Sequence, residues 1–423
     1  MFLHILLFLA LYSITIHLFH KLNNHPPSPF PTLPFIGHFY SLLKKPLHRT
    51  LSKISANHGP VLLLHFGSRP VVLVSSASAA EECFTKNDMV LANRPKLLYG
   101  KHMGNNYTSL IWDSYGENWR NLRRVSSIHL LSGNCLQLLY ATRLDEIRLL
   151  LRKLYKDQGR TVDLKSRFFE LMVNLMMRMI AGKRYYGDDV VDVEEGTRFR
   201  EIMRESFLLA GASNMGDFLP VMKLFGKIEK RMVNLSKRRD TFTQELIDEC
   251  RNNMKNGKES CLSTDKKKNM IEIMLSLQEQ EPEIYKDETI RSLMIVLLLA
   301  GTDTSAATME WALSFLLNHP QDPNNWEEPT KYKPERFEGL DSSNTAFKLM
   351  PFGAGRRRCP GEGLAMRMVG LTLGSLIQCF EWERMGEEMV DLTEGPGLTM
   401  PKAQPLQAKC RPRQPFVPIL SQI

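Results

Sequence analysis

The sequence predicts a mainly α-helical protein with a small β subdomain and an N-terminal membrane anchor. Three features predict this architecture. Apolar residues recur at three-to-four spacing through most of 77–250, two short apolar runs flank a turn at 67–70, and the first twenty residues are nearly all apolar. The chain has 423 residues, of which 43% are hydrophobic and 24% charged, so it can form one large domain or two smaller ones.

The first twenty residues, MFLHILLFLALYSITIHLFH, predict a retained single-pass transmembrane anchor. At about 1.5 Å per residue they span about 30 Å, which matches one hydrocarbon core. A cleaved signal peptide is the alternative, but no basic residue precedes the run and no A-x-A site follows it. Lys21 comes directly after the run, so the positive-inside rule favours a cytosolic position for the rest of the chain.

A Pro-rich hinge is predicted over 21–40, because five prolines in eleven residues cannot form a regular helix. The remaining residues, 41–423, form the predicted main domain. It begins with a β-hairpin over 60–76. Helical periodicity then covers the segments 115–131, 143–157, 163–182, 197–210 and 229–253. The polar stretch 252–268 predicts a loop.

The charge and the cysteines limit the possible partners and compartments. The net charge of +9 suits an anionic membrane surface, an acidic partner or nucleic acid. No basic tract interleaved with aromatic residues and no zinc-finger spacing occurs, so no nucleic-acid partner is expected. Seven dispersed cysteines without a C-x-x-C pair predict a reducing compartment. The sequence also has no evident nucleotide-binding loop.

The segment 291–320 is the most hydrophobic internal stretch. A second membrane span would place Asp303 near its middle, at a cost of about 2.5 to 3.5 kcal/mol, so we predict a helix through the core of a large domain. At its centre the Thr304 hydroxyl should bond to the carbonyl of Ala300 and widen the helix locally. A hydroxyl and a carboxylate would then lie beside an apolar pocket, which suits proton delivery. The alternative for the small residues at 300–304 is a close helix crossing.

The loop LMPFGAGRRRCPGEG, which starts at residue 349, has the pattern F-x-x-G-x-x-x-C-x-G. Cys359 precedes a predicted helix that starts at about Glu362, where amide donors, the helix dipole and neighbouring arginines stabilise a thiolate. A lone thiolate is a poor zinc site but a good axial ligand for haem iron. The alternative is a solvated basic turn with a free cysteine.

This loop resembles the haem-binding signature of cytochrome P-450 monooxygenases, and 300–304 resembles their oxygen-activation motif. The resemblance extends over nearly the whole chain and includes the motifs WRNLRR at 119–124, GDFLP at 216–220 and KPERF at 333–337. Its details are similar to the plant family of isoflavone hydroxylases and methylenedioxy-bridge synthases. It therefore implies the cytochrome P-450 fold and insertion of one oxygen atom from O2 into an aromatic plant secondary metabolite.

The resemblance also implies a role for each candidate site residue. Cys359 is the axial ligand of haem b, Phe352 packs beside the thiolate, and Asp303 and Thr304 form the catalytic proton relay. The other implied cofactor-binding residues are Trp119, Arg123 and Arg357 at the haem propionates, and Gly301. Substrate contacts are implied for the segments 99–112, about 203–212, 296–304 and about 397–399.

The implied partners are membrane lipid, a small aromatic substrate and a separate NADPH-cytochrome P-450 reductase. Electrons come from NADPH through that reductase, because the chain shows no flavin or nicotinamide site of its own. The cluster Arg356-Arg357-Arg358 fits an acidic docking partner. The implied location is the endoplasmic reticulum membrane, with the catalytic body on the cytosolic side.

The sequence departs from the family at LLNHPQDPNNWEEPTKYKPERF, residues 316–337. The family has a long block here, with helices, strands, a substrate-lining loop and a Glu-x-x-Arg pair, whereas this chain lacks it between Pro320 and Gln321. We interpret Glu201–Arg204 and Glu381–Arg384 as chance matches to that pair. The expected consequences are an incomplete fold, an unpaired edge on the hairpin and the loss of a buried ion-pair network around Arg336, worth about 3 to 5 kcal/mol.

Three functional hypotheses follow. The first is an intact monooxygenase of the family described above. The second is a truncated, catalytically impaired or inactive member, produced by splicing or by a gene-model error. The third is a two-span membrane protein without haem, which requires 292–317 to lie in a bilayer.

Overall fold

Helices account for most of the structure, as the periodicity of the sequence predicts. The computed structural model describes residues 22–29, 31–43, 46–187, 193–210, 214–219, 221–222, 226–256, 268–318, 347 and 349–422, with isolated positions before residue 16. Most of the predicted anchor at 1–20 therefore lies outside the described residues, as do the junction between Pro320 and Gln321 and Arg336. The chain forms two compact units, and each is described by itself.

Unit 1 comprises Met1–Leu98, Ser213–Arg231 and Gly339–Cys359. Its regular elements are α1 (Leu47–His58), β1 (Val61–Phe66), β2 (Arg69–Val74), α2 (Ala77–Phe84) and α3 (Asp88–Leu91). The two strands pair antiparallel, from Val61 opposite Val74 to Phe66 opposite Arg69. The predicted hairpin is therefore confirmed. In the predicted hinge Leu22 is helical, whereas the described residues between 23 and 38 contain no α-helix.

Apolar side chains on β1 form the core of unit 1. Leu64 and Phe66 pack with Phe39, and Phe218 of the segment 214–219 packs against them. The turn of the hairpin holds that segment, because the Ser68 amide and hydroxyl both donate to the Phe218 carbonyl, at 2.9 and 3.0 Å. Among the described residues no further strand pairs with β2, and the expected open edge stays a prediction.

Unit 2 comprises Tyr99–Ala212, Met232–Glu338 and Pro360–Ile423. Its helices are α4 (Leu98–His102), α5 (Glu117–Val125), α6 (Gly133–Leu138), α7 (Tyr140–Lys156), α8 (Leu164–Ala181), α9 (Val193–Ala210), α10 (Lys227–Lys255), α11 (Met270–Gln280), α12 (Asp287–Asn318), α13 (Glu362–Cys379) and α14 (Val417–Leu420). Helix α4 starts at the last residue of a segment of unit 1, and the first residues of α10, up to Arg231, also belong to unit 1. The strands β3 (Thr161–Asp163), β4 (Phe380–Arg384) and β5 (Gln407–Pro412) form one sheet, ordered β3-β5-β4.

The predicted helices are found within a few residues of their expected ends, and the differences have local causes. A π-helical turn over Ser126–Leu130 continues α5, so the segment predicted as one helix over 115–131 contains two helical forms. Helix α10 runs to Lys255, four residues into the stretch predicted as a loop. Helix α8 begins where the Asp163 side chain accepts from the Ser166 amide and ends at Gly182, with φ of +72°.

Helix α12 is the centre of unit 2. It packs against α8, α13 and β4 and carries buried polar residues, including Glu310, Ser314 and Asn318. Among the described residues it is the helix that is long and apolar enough to cross a membrane. Its packing within unit 2 and its buried polar side chains favour the predicted core helix over a membrane span.

The two chance Glu-x-x-Arg matches form ion pairs elsewhere in unit 2. Glu201 lies 3.3 Å from Arg238, and Glu381 lies 3.5 Å from Arg413. A buried network instead joins the end of α8 to α7. There the Glu146 carboxylate, 1% exposed, accepts from Arg178 at 2.6 Å and from Arg184 at 2.7 Å.

His38 ties the hinge to β1 inside unit 1. Its ring is 2% exposed. The Nδ1 atom accepts from the His65 amide at 3.0 Å, and Nε2 lies 2.8 Å from the Pro29 carbonyl. The first bond requires an unprotonated Nδ1, so the structure holds a neutral ring with its proton on Nε2. Burial lowers the pKa of His38, and the Pro29 carbonyl offsets part of that effect.

We expect these bonds to weaken in acid. Because the folded-state pKa of His38 lies below its unfolded value, its contribution to stability is present above the unfolded value, about 6.5, and is lost as pH falls below it. The His65 amide should exchange with solvent faster at pH 5.5 than at pH 7.5, after correction for the intrinsic rate. His38→Ala should destabilise this region by about 1 to 3 kcal/mol and remove the pH effect.

The exposed His48 on α1 supplies the control. His48→Gln should leave the exchange of the His65 amide unchanged at both pH values. Equal pH dependence in wild type and His38→Ala would show that another group is responsible.

Candidate functional site

The loop before Cys359 is closed by its own backbone. Gly353 and Gly355 have φ of +71° and +64°, a region that strains other residues. The Gly353 amide donates to the Met350 carbonyl at 3.1 Å, and the Cys359 amide donates to the Phe352 carbonyl at 2.9 Å. The two glycines therefore allow the turns that present a half-buried Cys359 at the end of the loop.

Asp88 of α3 holds the middle of this loop. Both carboxylate oxygens lie 3.2 Å from the Arg356 amide, and Oδ2 lies 3.3 Å from Arg356 Nε. A Cβ on Gly355 would lie 2.7 Å from Asp88 Oδ1, so the approach also requires glycine. Next to it, Arg357 Nε donates to the Ala92 carbonyl at 2.8 Å. Sequence reasoning missed Asp88, because nothing in a four-residue helix signals a contact 268 positions away.

The donor set of the described residues fits haem better than a bare metal ion. No group of three or more His, Cys, Asp or Glu side chains converges among the residues that the structure describes. A bare zinc ion requires about four such ligands, whereas haem iron, held by its porphyrin, needs one axial side chain. Cys359 is placed to act as a single ligand of this kind.

The centre of α12 confirms one predicted bond and corrects its expected effect. Thr304 Oγ1 donates to the Ala300 carbonyl at 2.6 Å, as predicted. Thr308 Oγ1 makes the same kind of bond to the Thr304 carbonyl at 2.8 Å. The expected widening does not interrupt the helix, which is continuous from Asp287 to Asn318. A hydroxyl that bonds within its own helix can thus be accommodated without breaking the helix.

The exposed stripe of α12 contains the predicted proton-relay alcohol. Ala300, Thr304 and Thr308 are exposed and recur every four residues, so they share one face of the helix. Asp303 is half-buried, and its Oδ2 accepts from Thr399 Oγ1 at 2.5 Å. The carboxylate and the Thr304 hydroxyl are therefore neighbours in sequence with different hydrogen-bond partners.

Gly301 faces the adjacent helix. A Cβ on Gly301 would lie 2.6 Å from Met176 Sδ of α8, and Met176 is 2% exposed. The close helix crossing, which was the alternative interpretation of this segment, therefore accounts for Gly301. The cofactor-binding role of Gly301 stays a prediction.

Trp119 and Arg123 lie on α5. The Trp119 ring is buried and its Nε1 donates to the Leu110 carbonyl at 3.1 Å, so a bond from this nitrogen to a propionate would have to replace an existing one. Arg123 is half-buried in the last turn of α5. Phe352, Arg357 and Cys359 belong to unit 1, whereas Trp119, Arg123, Gly301, Asp303 and Thr304 belong to unit 2. Within unit 2, Gly301, Asp303 and Thr304 share one stretch of α12.

The family model for cytochrome P-450 matches residues 26–321 and 321–408. A cytochrome P-450 of Catharanthus roseus is 42% identical over an alignment of 506 residues, which covers 99% of this chain and 98% of the relative. Isoflavone 3'-hydroxylase of Medicago truncatula is 42% identical, with 92% of this chain and 93% of the relative covered. The (+)-piperitol/(+)-sesamin synthase of Sesamum radiatum is 38% identical, with 94% and 92% covered.

The chain therefore belongs to the cytochrome P-450 family, and within it to the plant type that its relatives represent. A zebra fish cytochrome P-450 in a structure with progesterone has the same fold, with a TM-score of 0.70 at 17% identity, and the match covers 87% of this chain and 100% of that chain. By family the chain is a monooxygenase that uses haem with a cysteine thiolate ligand and receives electrons from a redox-partner reductase.

The contact at Gly301 predicts that Gly301→Ala changes the free energy of unfolding in opposite directions in the wild-type chain and in a Met176→Ala variant. Gly301→Ala should lower the free energy of unfolding by about 1 to 2 kcal/mol, because the added methyl overpacks the crossing at Met176. In a Met176→Ala background the same substitution should raise it by up to about 1 kcal/mol, since alanine favours a helix. Urea unfolding of the four chains measures both effects.

Gly370 of α13 is the matched control for Gly301. A Cβ there meets no atom within 4 Å, so Gly370→Ala should be stabilising in both backgrounds. If Gly301→Ala behaves like Gly370→Ala in the wild-type chain, the crossing does not constrain this position.

Removal of the Asp88 carboxylate should loosen the loop before Cys359, because its bonds to Arg356 are lost. Asp88→Ala should increase the alkylation rate of Cys359 by iodoacetamide about tenfold, because bonds to a charged group that are worth about 1.5 kcal/mol are lost. Asp88→Asn keeps an acceptor and should have a smaller effect. Mass spectrometry of the Cys359 peptide gives the rate.

Asn87 precedes Asp88, and its side chain makes no capping bond to α3, so it provides the control. Asn87→Ala should leave the Cys359 rate unchanged. Equal rates in Asp88→Ala and wild type would mean that the loop keeps its shape without this carboxylate.

Proposed function

We propose that this chain is a haem-dependent monooxygenase that inserts one oxygen atom from O2 into an aromatic plant secondary metabolite. The reaction is hydroxylation of an (iso)flavonoid-like ring or formation of a methylenedioxy bridge. The observation that carries the proposal is the loop with two left-handed glycines that ends at the half-buried Cys359. Relatives named as an isoflavone hydroxylase and a sesamin synthase support the substrate class.

The roles of the residues follow from their chemistry. Cys359 is the axial ligand, Phe352 lies beside it, and Arg357, Arg123 and Trp119 serve the propionates. Bound haem supplies the activation of dioxygen, and its thiolate ligand favours O–O cleavage. The Asp303 carboxylate and the Thr304 hydroxyl hold and pass on the protons that the reaction consumes.

We further propose a membrane-bound protein with residues 1–20 as anchor, 21–40 as hinge and 41–423 as the catalytic domain. The chain would be fixed to the endoplasmic reticulum with its body in the cytosol. Its reductant is NADPH through NADPH-cytochrome P-450 reductase, and Arg356 to Arg358 offer positive charge to an acidic partner. Arg356 is 41% exposed even while it pairs with Asp88, so part of that charge faces solvent.

A second candidate function, an impaired or inactive family member, is favoured by specific observations. The family model matches in two stretches that meet at residue 321, and the alignment with the Catharanthus roseus relative extends over 506 residues although this chain has 423. We infer that a family block is missing between Pro320 and Gln321. The described part of the hairpin sheet has only two strands, in keeping with lost neighbours.

The energetic consequence of such a loss is large relative to net stability. A broken buried ion-pair network costs about 3 to 5 kcal/mol, and a native protein is stable by only about 5 to 15 kcal/mol. We therefore expect the chain to retain less haem than its relatives.

The ferrous–carbon monoxide difference spectrum of the expressed full chain tests the ligand. The proposed function predicts the red-shifted band of a thiolate-ligated haem, and Cys359→Ser should abolish it. Cys83→Ser, which changes another half-buried thiol of unit 1, should leave the band in place. A band that survives in Cys359→Ser would refute Cys359 as the ligand.

Insertion of the missing block tests the second candidate. The corresponding segment of the Medicago truncatula isoflavone hydroxylase, placed between Pro320 and Gln321, should increase the fraction of chain that holds haem. A Gly/Ser linker of equal length is the control and should not. If the chain without insertion already binds haem and turns over as well as the inserted chain, the proposed loss of function is wrong.

A further inference from the structure

The segment 390–406, here called the strap, is bound along α12 within unit 2. Side chains of α12 make most of the bonds. Asn318 forms a pair of bonds with the Val390 backbone, at 2.8 Å to the carbonyl and 2.7 Å from the amide. Glu310 Oε1 accepts from the Leu406 amide at 2.9 Å. The two ends of the strap are thus fixed by buried polar side chains of one helix.

The middle of the strap is fixed by an aromatic residue. Trp311 Nε1 donates to the Met400 carbonyl at 3.0 Å. Lys402, 3% exposed, has its Nζ 5.1 Å from the centre of the Trp311 ring and also donates to the Asp391 carbonyl. Trp311 therefore holds the strap at Met400 and at Lys402.

The strap folds back on itself around this point. The Gly395 amide donates to the Pro401 carbonyl at 2.6 Å, and the Ala403 amide donates to the Thr393 carbonyl at 2.8 Å. Met400 has φ of +54°, which is unfavourable for a residue with a side chain and persists where surrounding contacts determine it. The tip between Gly395 and Pro401 is therefore preorganised by its own bonds and by Trp311.

The tip places the Thr399 hydroxyl on the Asp303 carboxylate. The donor Oγ1 lies 2.5 Å from Oδ2, and both residues are partly buried. The adjacent Thr304 hydroxyl cannot serve the carboxylate in this arrangement, since it donates to the Ala300 carbonyl. Among the described residues, Thr399 thus supplies the hydrogen bond that orients this carboxylate.

We propose that Thr399 is the positioning residue for the Asp303 carboxylate and that the bonds of the strap to α12 deliver its hydroxyl to that atom. The inference rests on the proposed function for the statement that Asp303 handles protons. It adds the reason why the carboxylate has a fixed direction. A half-buried carboxylate without a partner can adopt several rotamers, and one hydrogen bond to an ordered tip selects one of them.

The test uses the full chain without added haem, so it does not depend on haem binding. The chain is labelled with carboxyl-13C aspartate, and the infrared band of Asp303 is identified as the one lost in Asp303→Asn. Thr399→Val should shift this band, because the carboxylate loses its donor. Thr399→Ser retains the hydroxyl and should restore the wild-type position.

Thr393 provides a matched control on the same strap. Its Oγ1 donates to Asp391 Oδ1 at 2.6 Å, so Thr393→Val also removes a threonine–carboxylate bond, but away from α12. It should leave the Asp303 band unchanged. A merely structural role of Thr399 would not produce a band shift that serine reverses.

A double-mutant cycle tests the contact between Thr399 and Asp303 by a second method. Urea unfolding of wild type, Thr399→Val, Asp303→Asn and the double variant should show about tenfold coupling in the unfolding equilibrium constant, as expected for a bond to a charged group. An unshifted Asp303 band in Thr399→Val together with additive effects would overturn the proposal. The two tests are independent. Failure of the Thr399 proposal would not change the result of the carbon monoxide test of Cys359, and a missing carbon monoxide band would not change the infrared and unfolding results for Thr399 and Asp303.

Discussion

The burial of polar side chains on an apolar helix is the constraint on which unit 2 depends. Helix α12 carries Glu310 and Asn318 with 1% and 6% of their surface exposed, and a buried polar group without a partner costs about 1 to 3 kcal/mol. Burial raises the pKa of Glu310, and the Leu406 amide and nearby lysines offset part of this effect. The strap supplies these partners, so the helix and the strap require each other.

This requirement also explains why hydropathy alone does not distinguish a membrane span from a core helix for α12. The same residues that would be costly in a bilayer are those that hold the strap. A helix that is apolar enough to span a membrane is instead fixed in a protein core by polar bonds at three levels along its length, at Asp303, at Glu310 and Trp311, and at Asn318. Its polar residues therefore distinguish the two interpretations better than its length does.

Sequence reasoning succeeded where the signal is local. Helices α7 to α10 follow from three-to-four spacing, the hairpin from two apolar runs around a turn, and the Thr304 bond from the preference of threonine for the carbonyl four residues back. It missed the contacts of Asp88 and Thr399, which join residues 268 and 96 positions apart. Nothing in the local pattern of either residue indicates its partner, because tertiary packing alone creates the contact.

The bonds that hold the loop before Cys359 indicate which parts of the fold a deletion between Pro320 and Gln321 would affect. The described bonds that close the loop come from its own backbone and from residues 88–92, all within unit 1. Residues 88–92 lie far in sequence from Pro320 and Gln321, so this support of the loop comes from a distant part of the chain. Among the described residues, in contrast, β2 pairs with β1 alone, and an edge that stayed unpaired would favour association with other chains. If the family block is missing as we propose, the deficit should therefore appear as a loss of folded, haem-retaining protein, while the fraction that folds keeps a thiolate ligand of normal character.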